Sequence, residues 1–438
     1  MTVSRAVFAG VVSGAAAITV ALAVSIAGSG GGGGGGTANF WVDTNGGTCA
    51  RSATPAAYVD ATACATLNAA YQAASLGDSV LIKAGAYGAQ TIDDEPTKDT
   101  TGLAADVVFD EAAGESASFP SITLGTGLQT NTGPDHLTIK NVELTGDSSL
   151  TIWGDETWDV TFDAVDMKSF YMNGVQDVTI KNSDIGPLTI SSPVGPGNSK
   201  IDGGTPANNN VTIGPGNVFH EYVFGSTCIA YGGANDCHGE ALIIFGGTNI
   251  NVKGNWFWKN ETYDVMLQPI GAGTPSITIE NNWFGRTQNA GGTCCGNGAQ
   301  RGTAVCLCFN NPTGVLVRGN SFASGESLVF ENTGTATNVR ATGNIFGVSA
   351  SCISGVTYTY NTWTGGTPCT GTGNTTMAVL PYVNTSDVGA GNYHLTGAET
   401  TAADNAWTPT TGDDALTDDY DLQSRPQDAT KDIGSDDR

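Results

Sequence analysis

Basic residues are scarce in this chain: 17 Lys and Arg stand against 42 Asp and Glu, giving a formal charge of -25. A surface of that sign repels phosphate backbones, which excludes nucleic acid as a partner. Charged residues of any kind make up only 13% of the sequence, and His occurs four times. Also absent are G-x-S-x-G, P-loop and HExxH patterns, and G-x-G-x-x-G in a strand-helix setting. Serine-hydrolase, nucleotide-binding and zincin chemistries therefore have no support. Glycine, in contrast, is abundant at 61 residues. Since each Gly costs a helix about 1 kcal/mol relative to Ala, that abundance favours turn-rich β structure. The acidity has two readings, solubility in an external medium and attraction of hard cations such as Ca²⁺ by grouped carboxylates.

The N-terminus reads as an export signal. Arg5 supplies a positive n-region, Ala6 to Ala27 form an uncharged apolar stretch, and Ser25-Ile26-Ala27 carries small residues where a signal peptidase cuts. Residues 1–27 are expected to be a cleaved signal peptide, with an uncleaved membrane anchor as the alternative because the stretch is about as long as a bilayer span. No Cys lies nearby, which argues against a lipoprotein. Residues 28–37, with Gly30 to Gly36, read as a flexible linker. Ten cysteines in an exported chain are expected to form disulfides. Local spacing pairs Cys49 with Cys64, Cys228 with Cys237 and Cys352 with Cys369, and leaves a cluster of Cys294, Cys295, Cys306 and Cys308 whose pairing is open. A zinc reading of that cluster is the weaker alternative, since it has no CxxC pairs. The chain is expected to be secreted or displayed at the cell surface, as a monomer.

One phrase recurs: LTIKNVEL (137–144), VTIKNSDI (178–185), INVKGNWF (250–257), ITIENNWF (277–284), VLVRGNSF (315–322) and VRATGNIF (339–346). A unit this short cannot bury its own apolar face and must stack on copies of itself. A second strand series interleaves with the first: SSLTIWG (148–154), KSFYMNG (168–174), GPLTISS (186–192), HGEALIIF (238–245), TYDVMLQ (262–268), TAVCLCF (303–309) and ESLVFEN (326–332). Asn141, Asp163 and Asn182 step by about twenty residues; Asn255, Asn282, Asn320 and Asn344 step by 27, 38 and 24. These periods fit a coil of two or three short strands. The Asn positions are expected to form a ladder at a turn, because Asn tolerates left-handed backbone and can bond to its equivalent one coil away. Phe257, Phe284, Phe322 and Phe346 are expected to stack inside. Ahead of the coils, the Ala-rich stretch from Ala63 to Ser75, with Leu67, Ala70 and Tyr71 on one side, predicts a short amphipathic helix covering the open end of the solenoid. The fold expected is thus all-β: a single-stranded right-handed parallel β-helix over residues 38–380 including its helical cap, then a closing segment over 381–438.

Two intervals are too long. Extra residues from Phe224 to Cys237 and from Arg286 to Arg301 both fall just before a strand of the second series, which puts them on one side of the solenoid. Insertions on one face commonly mark the binding face. Between them lies a polar cluster: His220, Glu221, Asp236, His238, Glu240, Lys259, Glu261, Asp264, Gln268, Arg286 and Arg301. Alternation places His238 and Glu240 on one face of their strand. Glu240 and Asp264 are 24 residues apart, about one coil, so they are expected to stack at roughly 5 Å. Carboxylates that close raise one pKa or bind a cation.

The stretch YVDATACATLNAAYQAASLGDSVLIKAGAYG (58–88), the tandem phrases, and the endings GNYHLTGAETTAADNA (391–406) and DYDLQSRPQDATKDIGSDD (419–437) together resemble secreted bacterial right-handed parallel β-helix proteins of the pectate-lyase-like superfamily. The last two segments resemble a closing motif labelled choice-of-anchor Q. The resemblance covers roughly residues 38 to 435. It departs at the end, where the chain stops at Arg438 without a sorting tail, so attachment is expected through the N-terminus if at all. The resemblance implies action on acidic polysaccharides, either by β-elimination with Ca²⁺ held by carboxylates and a Lys or Arg base, or by hydrolysis with paired carboxylates. Neither constellation is complete in this sequence. HGE (238–240) resembles a variant of the H-x-D found in one coil of related proteins.

The expected site follows from these residues. Glu240 and Asp264 act as an acid/base pair or as Ca²⁺ ligands, and His238 as proton shuttle or sugar ligand. Arg286 and Arg301 clamp a uronate, and Lys259, Gln268 and Trp258 bind substrate. Trp256 and Trp283 are further candidates for sugar stacking. His136 and His394 are assigned to structure. The partner expected is an extracellular polysaccharide, with cleavage by lyase or hydrolase chemistry as one reading and a non-catalytic adhesin or structural solenoid as the other.

Overall fold

The computed structural model describes residues 35–438 apart from 101–103, 128–132, 155–156, 192–197, 204–206, 226–238, 268–275, 287–303, 309–312, 331–335, 385–391, 397–406, 408–415, 417, 425–432 and 436–438. The expected signal peptide and most of the linker lie outside these residues, as do His238, Gln268, Arg301, Cys228, Cys237, Cys294 and Cys295. No helix among the described residues is long and apolar enough to cross a membrane.

The chain is a parallel β-helix. Successive coils contribute strands to three long parallel sheets, of twelve, nine and eight strands among the described residues. A complete coil reads through Phe170–Asn173 in the nine-stranded sheet, Gln176–Lys181 in the twelve-stranded sheet and Asp184–Ile185 in the eight-stranded sheet. Side chains alternate along every strand, so one apolar row per strand points inward. In the twelve-stranded sheet the inward row reads Val160, Val178, Val211, Ile250, Ile277, Val315 and Val339, coil upon coil. All of these are buried.

The predicted aromatic stack is present. Phe219, Phe257, Phe284, Phe322 and Phe346 follow one another inside the eight-stranded sheet, with centroids 4.7, 5.2, 4.8 and 5.0 Å apart, and Trp363 ends the row 5.5 Å from Phe346.

The Asn ladder is also present, with a different membership. Asn255 N and Nδ2 both donate to Asn282 Oδ1 at 2.9 Å. Asn282 does the same to Asn320, Asn320 to Asn344 and Asn344 to Asn361. Asn141 and Asn182 do not belong to it. They occupy the preceding turn position, left-handed at φ 55° and 52°, level with Asn281 at φ 54°. Their side chains donate to Asp110 and Asp163. The buried position beside them is taken by Val142 and Ser183, so a residue that looks like the same Asn in sequence sits one place earlier in space.

The capping helix runs over Leu67–Ala73, shorter than the predicted stretch, because the Thr66 side chain caps it by accepting from Ala69 N. Cys64 is held instead by a backbone bond to Trp41 and a disulfide to Cys49. Leu67, Ala70 and Tyr71 are buried, as the pattern predicts. A further disulfide joins Cys352 to Cys369, as the spacing predicts, and another joins Cys306 to Cys308 within the four-Cys cluster.

The C-terminal segment packs on the side of the solenoid. Asp418 pairs with Lys253 at 2.8 Å, and its carbonyl accepts from Asn281 Nδ2. Ser435 donates to Ser321, and Trp407, Leu416 and Ile433 form a second apolar cluster with Trp283 and Ile345 on the outer face of the eight-stranded sheet. Gly343 is required where Trp407 crosses: a Cβ there would lie 2.6 Å from the indole, at a φ of 64°.

Candidate functional site

Of the residues singled out by the sequence, His220, Glu221, Lys259 and Arg286 gather at one corner of the coil, where the chain leaves the eight-stranded sheet for the nine-stranded one. His220 and Trp258 are paired residues on adjacent strands. Their rings stack outside the sheet with centroids 4.9 Å apart and planes 6° from parallel. Parallel strands about 4.8 Å apart dictate that spacing for any outward aromatic pair in register. The next residue of each coil turns the corner in left-handed backbone: Glu221 at φ 55° and Lys259 at φ 54°. Lys259 N donates to Arg286 O at 2.9 Å, so Glu221, Lys259 and Arg286 follow one another at successive coils.

Lys259 Nζ lies 3.1 Å from Glu221 Oε1 and 5.4 Å from the centre of the Trp258 ring. His220 Nε2 is 2.7 Å from Asp184 Oδ1. Trp258, Lys259 and Arg286, three of the predicted substrate-binding residues, are thus brought together. In sequence, residues 226–238 and 287–303, both outside the described residues, lie between this corner and strands Leu242–Ile244 and Val305–Leu307 of the nine-stranded sheet.

Further round the corner the chain turns inward. Asn260 is buried, accepts from Tyr222 N at 3.2 Å and donates to Asp264 Oδ1 at 2.8 Å. Asp264 is fully buried, and its Oδ2 has no hydrogen-bond partner among the described residues. Burial, joined by the charge of Glu326, pushes its carboxyl well above the usual carboxylate range against the opposing Asn260 bond. The expected stacking of Glu240 on Asp264 is corrected. Leu242 pairs with Val265, a step of 23 residues, so Asp264 lies level with Ala241 and Glu240 level with Tyr263. The 24-residue interval is one residue out of register, and in a strand one residue exchanges the two faces. Glu240 accepts from Asn198 Nδ2 at 3.1 Å instead. The carboxylate that acts on Asp264 is Glu326, which sequence reasoning did not name.

Trp283, offered as a stacking platform, is already covered: Tyr420 stacks on it at 3.7 Å. Trp256 lies partly under the same C-terminal cluster. Of the three candidates, Trp258 is the one outside that cluster.

The outward face of the nine-stranded sheet carries a second row that the sequence reading missed. Trp153 and Tyr171 are 4.9 Å apart, and Lys200 Nζ lies between aromatic faces, 5.5 Å from Tyr171 and 4.6 Å from Phe245. Asp202 accepts from Tyr171 at 2.8 Å and pairs with Lys200 at 3.1 Å. Burial and Asp202 push the Tyr171 hydroxyl up to about 12, against a bond from Asn173. Tyr171 and Lys200 are paired across 29 residues and Lys200 and Ile243 across 43, intervals that no fixed period predicts.

No protein-family model matches the sequence, and no curated protein does either. Among solved structures, the fold is similar to that of the pectate lyase Pel9A, at a TM-score of 0.50 and 13% identity over 91% of this chain and 96% of that one. Weaker likenesses are to PfbA, a surface adhesin of Streptococcus pneumoniae (TM-score 0.45, 12% identity, 68% of this chain and 79% of that one), and to a rhamnogalacturonan lyase (TM-score 0.32, 11% identity, 79% and 90%). At 13% identity the likeness to Pel9A bears on the fold alone, a parallel β-helix.

Proposed function

We propose that this chain is an extracellular protein that binds an acidic, uronate-containing polysaccharide at the corner built by His220, Trp258, Lys259 and Arg286. The observation that carries the reading is the placement of two cationic residues in one column beside a stacked aromatic pair, on a molecule otherwise so poor in basic residues. An aromatic face packs against the C–H face of a sugar ring, and Lys or Arg held next to it takes the ring's carboxylate. The row Trp153, Tyr171, Lys200 and Phe245 repeats that chemistry on the neighbouring sheet and would hold further units of the same polymer. Three disulfides support an oxidising, external compartment.

Cleavage is the second reading. In its favour, burial raises the Asp264 carboxyl well above the usual carboxylate range, toward the protonated state a general acid requires. Its complete burial favours binding over cleavage, because a proton donor must reach the glycosidic oxygen. Retention of the protein on immobilised polygalacturonate or alginate but not on a neutral glucan, weakening as salt is raised, is the expected result. Absorbance near 235 nm on incubation with the same polymers would report lyase products. Equal retention on neutral and acidic polymers would sink the acidic-glycan reading.

A further inference from the structure

At the opposite end of the twelve-stranded sheet from the Asn ladder, six coils enter their strand through another left-handed residue. His136, Asp159, Asp177, Asn210, Asn249 and Asn338 all have φ between 48° and 56°. Asp and Asn suit this conformation, since their short side chains bond locally, and they link coil to coil: Asn210 Nδ2 donates to Asp177, and Asn249 Nδ2 to Asn210 Oδ1 at 2.7 Å. His136 is the one imidazole in the set. Like Asn and Asp, His tolerates this conformation, and what sets it apart is what surrounds its ring.

Asp106 is level with His136 on one side, because Val107 pairs with Leu137, and Asp159 is level with it on the other, because Val160 pairs with Leu137. The ligand atoms of the three lie within 4.8 Å of one another. His136 is buried, with Nε2 2.9 Å from the Thr100 carbonyl. That carbonyl can only accept, so Nε2 carries hydrogen, and Nδ1 faces Asp159 Oδ2, 2.8 Å away. Between those two atoms lies either a second proton or a cation that takes the Nδ1 lone pair. A backbone carbonyl fixing the far nitrogen of a His is also the usual outer support of a metal-ligating imidazole. Asp106 is steadied in turn by the Thr138 hydroxyl.

We infer that Asp106, His136 Nδ1 and Asp159 form a binding site for a divalent transition ion of the zinc class, which fastens the loop carrying Thr100 onto the first coils. One imidazole nitrogen with two carboxylates suits such an ion. Ca²⁺ takes six to eight oxygens instead, and this donor set provides no such shell. The site is far in sequence from the glycan corner and independent of it.

The test is titration of the full-length protein, freed of metal, with Co²⁺ as a spectroscopic probe and with Zn²⁺ by calorimetry. The expected result is one ion per chain, with visible d–d absorption of nitrogen and oxygen ligation, no thiolate charge-transfer band, and no displacement by millimolar Ca²⁺. His136→Asn keeps a residue that the column uses elsewhere, and should weaken binding by more than about tenfold. If that variant does not fold, Asp106→Asn serves, checked by circular dichroism, with the same loss expected. Undiminished binding in either folded variant, thiolate bands that place the ion on cysteines, or no binding at all would each overturn the assignment. The last result would leave His136 as a proton-bearing bridge only.

Discussion

The imidazole of His220 and the indole of Trp258 lie face to face, 4.9 Å apart and 6° from parallel, on adjacent strands of the eight-stranded sheet. The stack fixes the indole as a rigid outward platform, with Lys259 beside it. Trp258→Ala is expected to weaken acidic-glycan binding by about 0.5–1.5 kcal/mol beyond the lost contact area, read by affinity electrophoresis in a polygalacturonate gel. His220→Ala, which removes the support and leaves the platform, should cost less. An effect of His220→Ala larger than that of Trp258→Ala would show that the imidazole itself is the ligand group.

The nine-stranded face should be felt by long chains and not by short ones. Lys200→Ala is expected to reduce binding of polymer while leaving the affinity for short oligomers at the corner unchanged, measured by calorimetry across a length series. Equal loss at every length would place the primary subsite at Lys200.

The buried ladder is a stability device. Asn282→Ala removes the acceptor used by Asn255 N and Nδ2 and strands a buried backbone N–H. The expected cost is about 2–4 kcal/mol, read as a fall in the denaturant midpoint. Asn182→Gly keeps the left-handed turn and touches no ladder member, and should stay within about 0.5 kcal/mol of the parent. Comparable losses in the two variants would show that ladder and turn column contribute alike.

Asp264 gives a pH-dependent signature. Its folded pKa is raised by burial and by Glu326, so in the window above its unfolded value the folded state binds the extra proton, and stability falls as pH rises. Asp264→Asn keeps an oxygen for Asn260 and removes the charge. The variant should be more stable than the parent at pH 8, with the gap closing as pH falls toward 4. Each pH unit of that window is worth about 1.4 kcal/mol. A gap independent of pH in thermal melts would contradict the buried-carboxyl account.

Most of the architecture was legible because it is periodic. The Phe column and the ladder from Asn255 to Asn344 could be read directly, since residues repeated at turns must stack in a solenoid. The candidate site was proposed for the opposite reason, that two intervals broke the period. What failed was register at single-residue precision. Asn182 and Asn282 look alike in sequence, yet one occupies the left-handed turn and the other the buried place after it. Glu240 and Asp264 missed each other by one residue for the same reason, as the coil between them is 23 residues long where 24 fitted the interval. The Tyr171–Lys200–Phe245 row and the Asp106–His136–Asp159 group were invisible because they join residues across unequal coils, and His136 carried no local motif to set it apart.

The central claim is that Lys259 and Arg286 hold the carboxylates of an acidic glycan. Calorimetry of oligogalacturonate binding to the parent and to the Lys259→Glu/Arg286→Glu double variant tests it most directly. The account predicts that charge reversal abolishes binding of the acidic oligomer while circular dichroism stays that of the parent. Unchanged affinity in the folded double variant would contradict it.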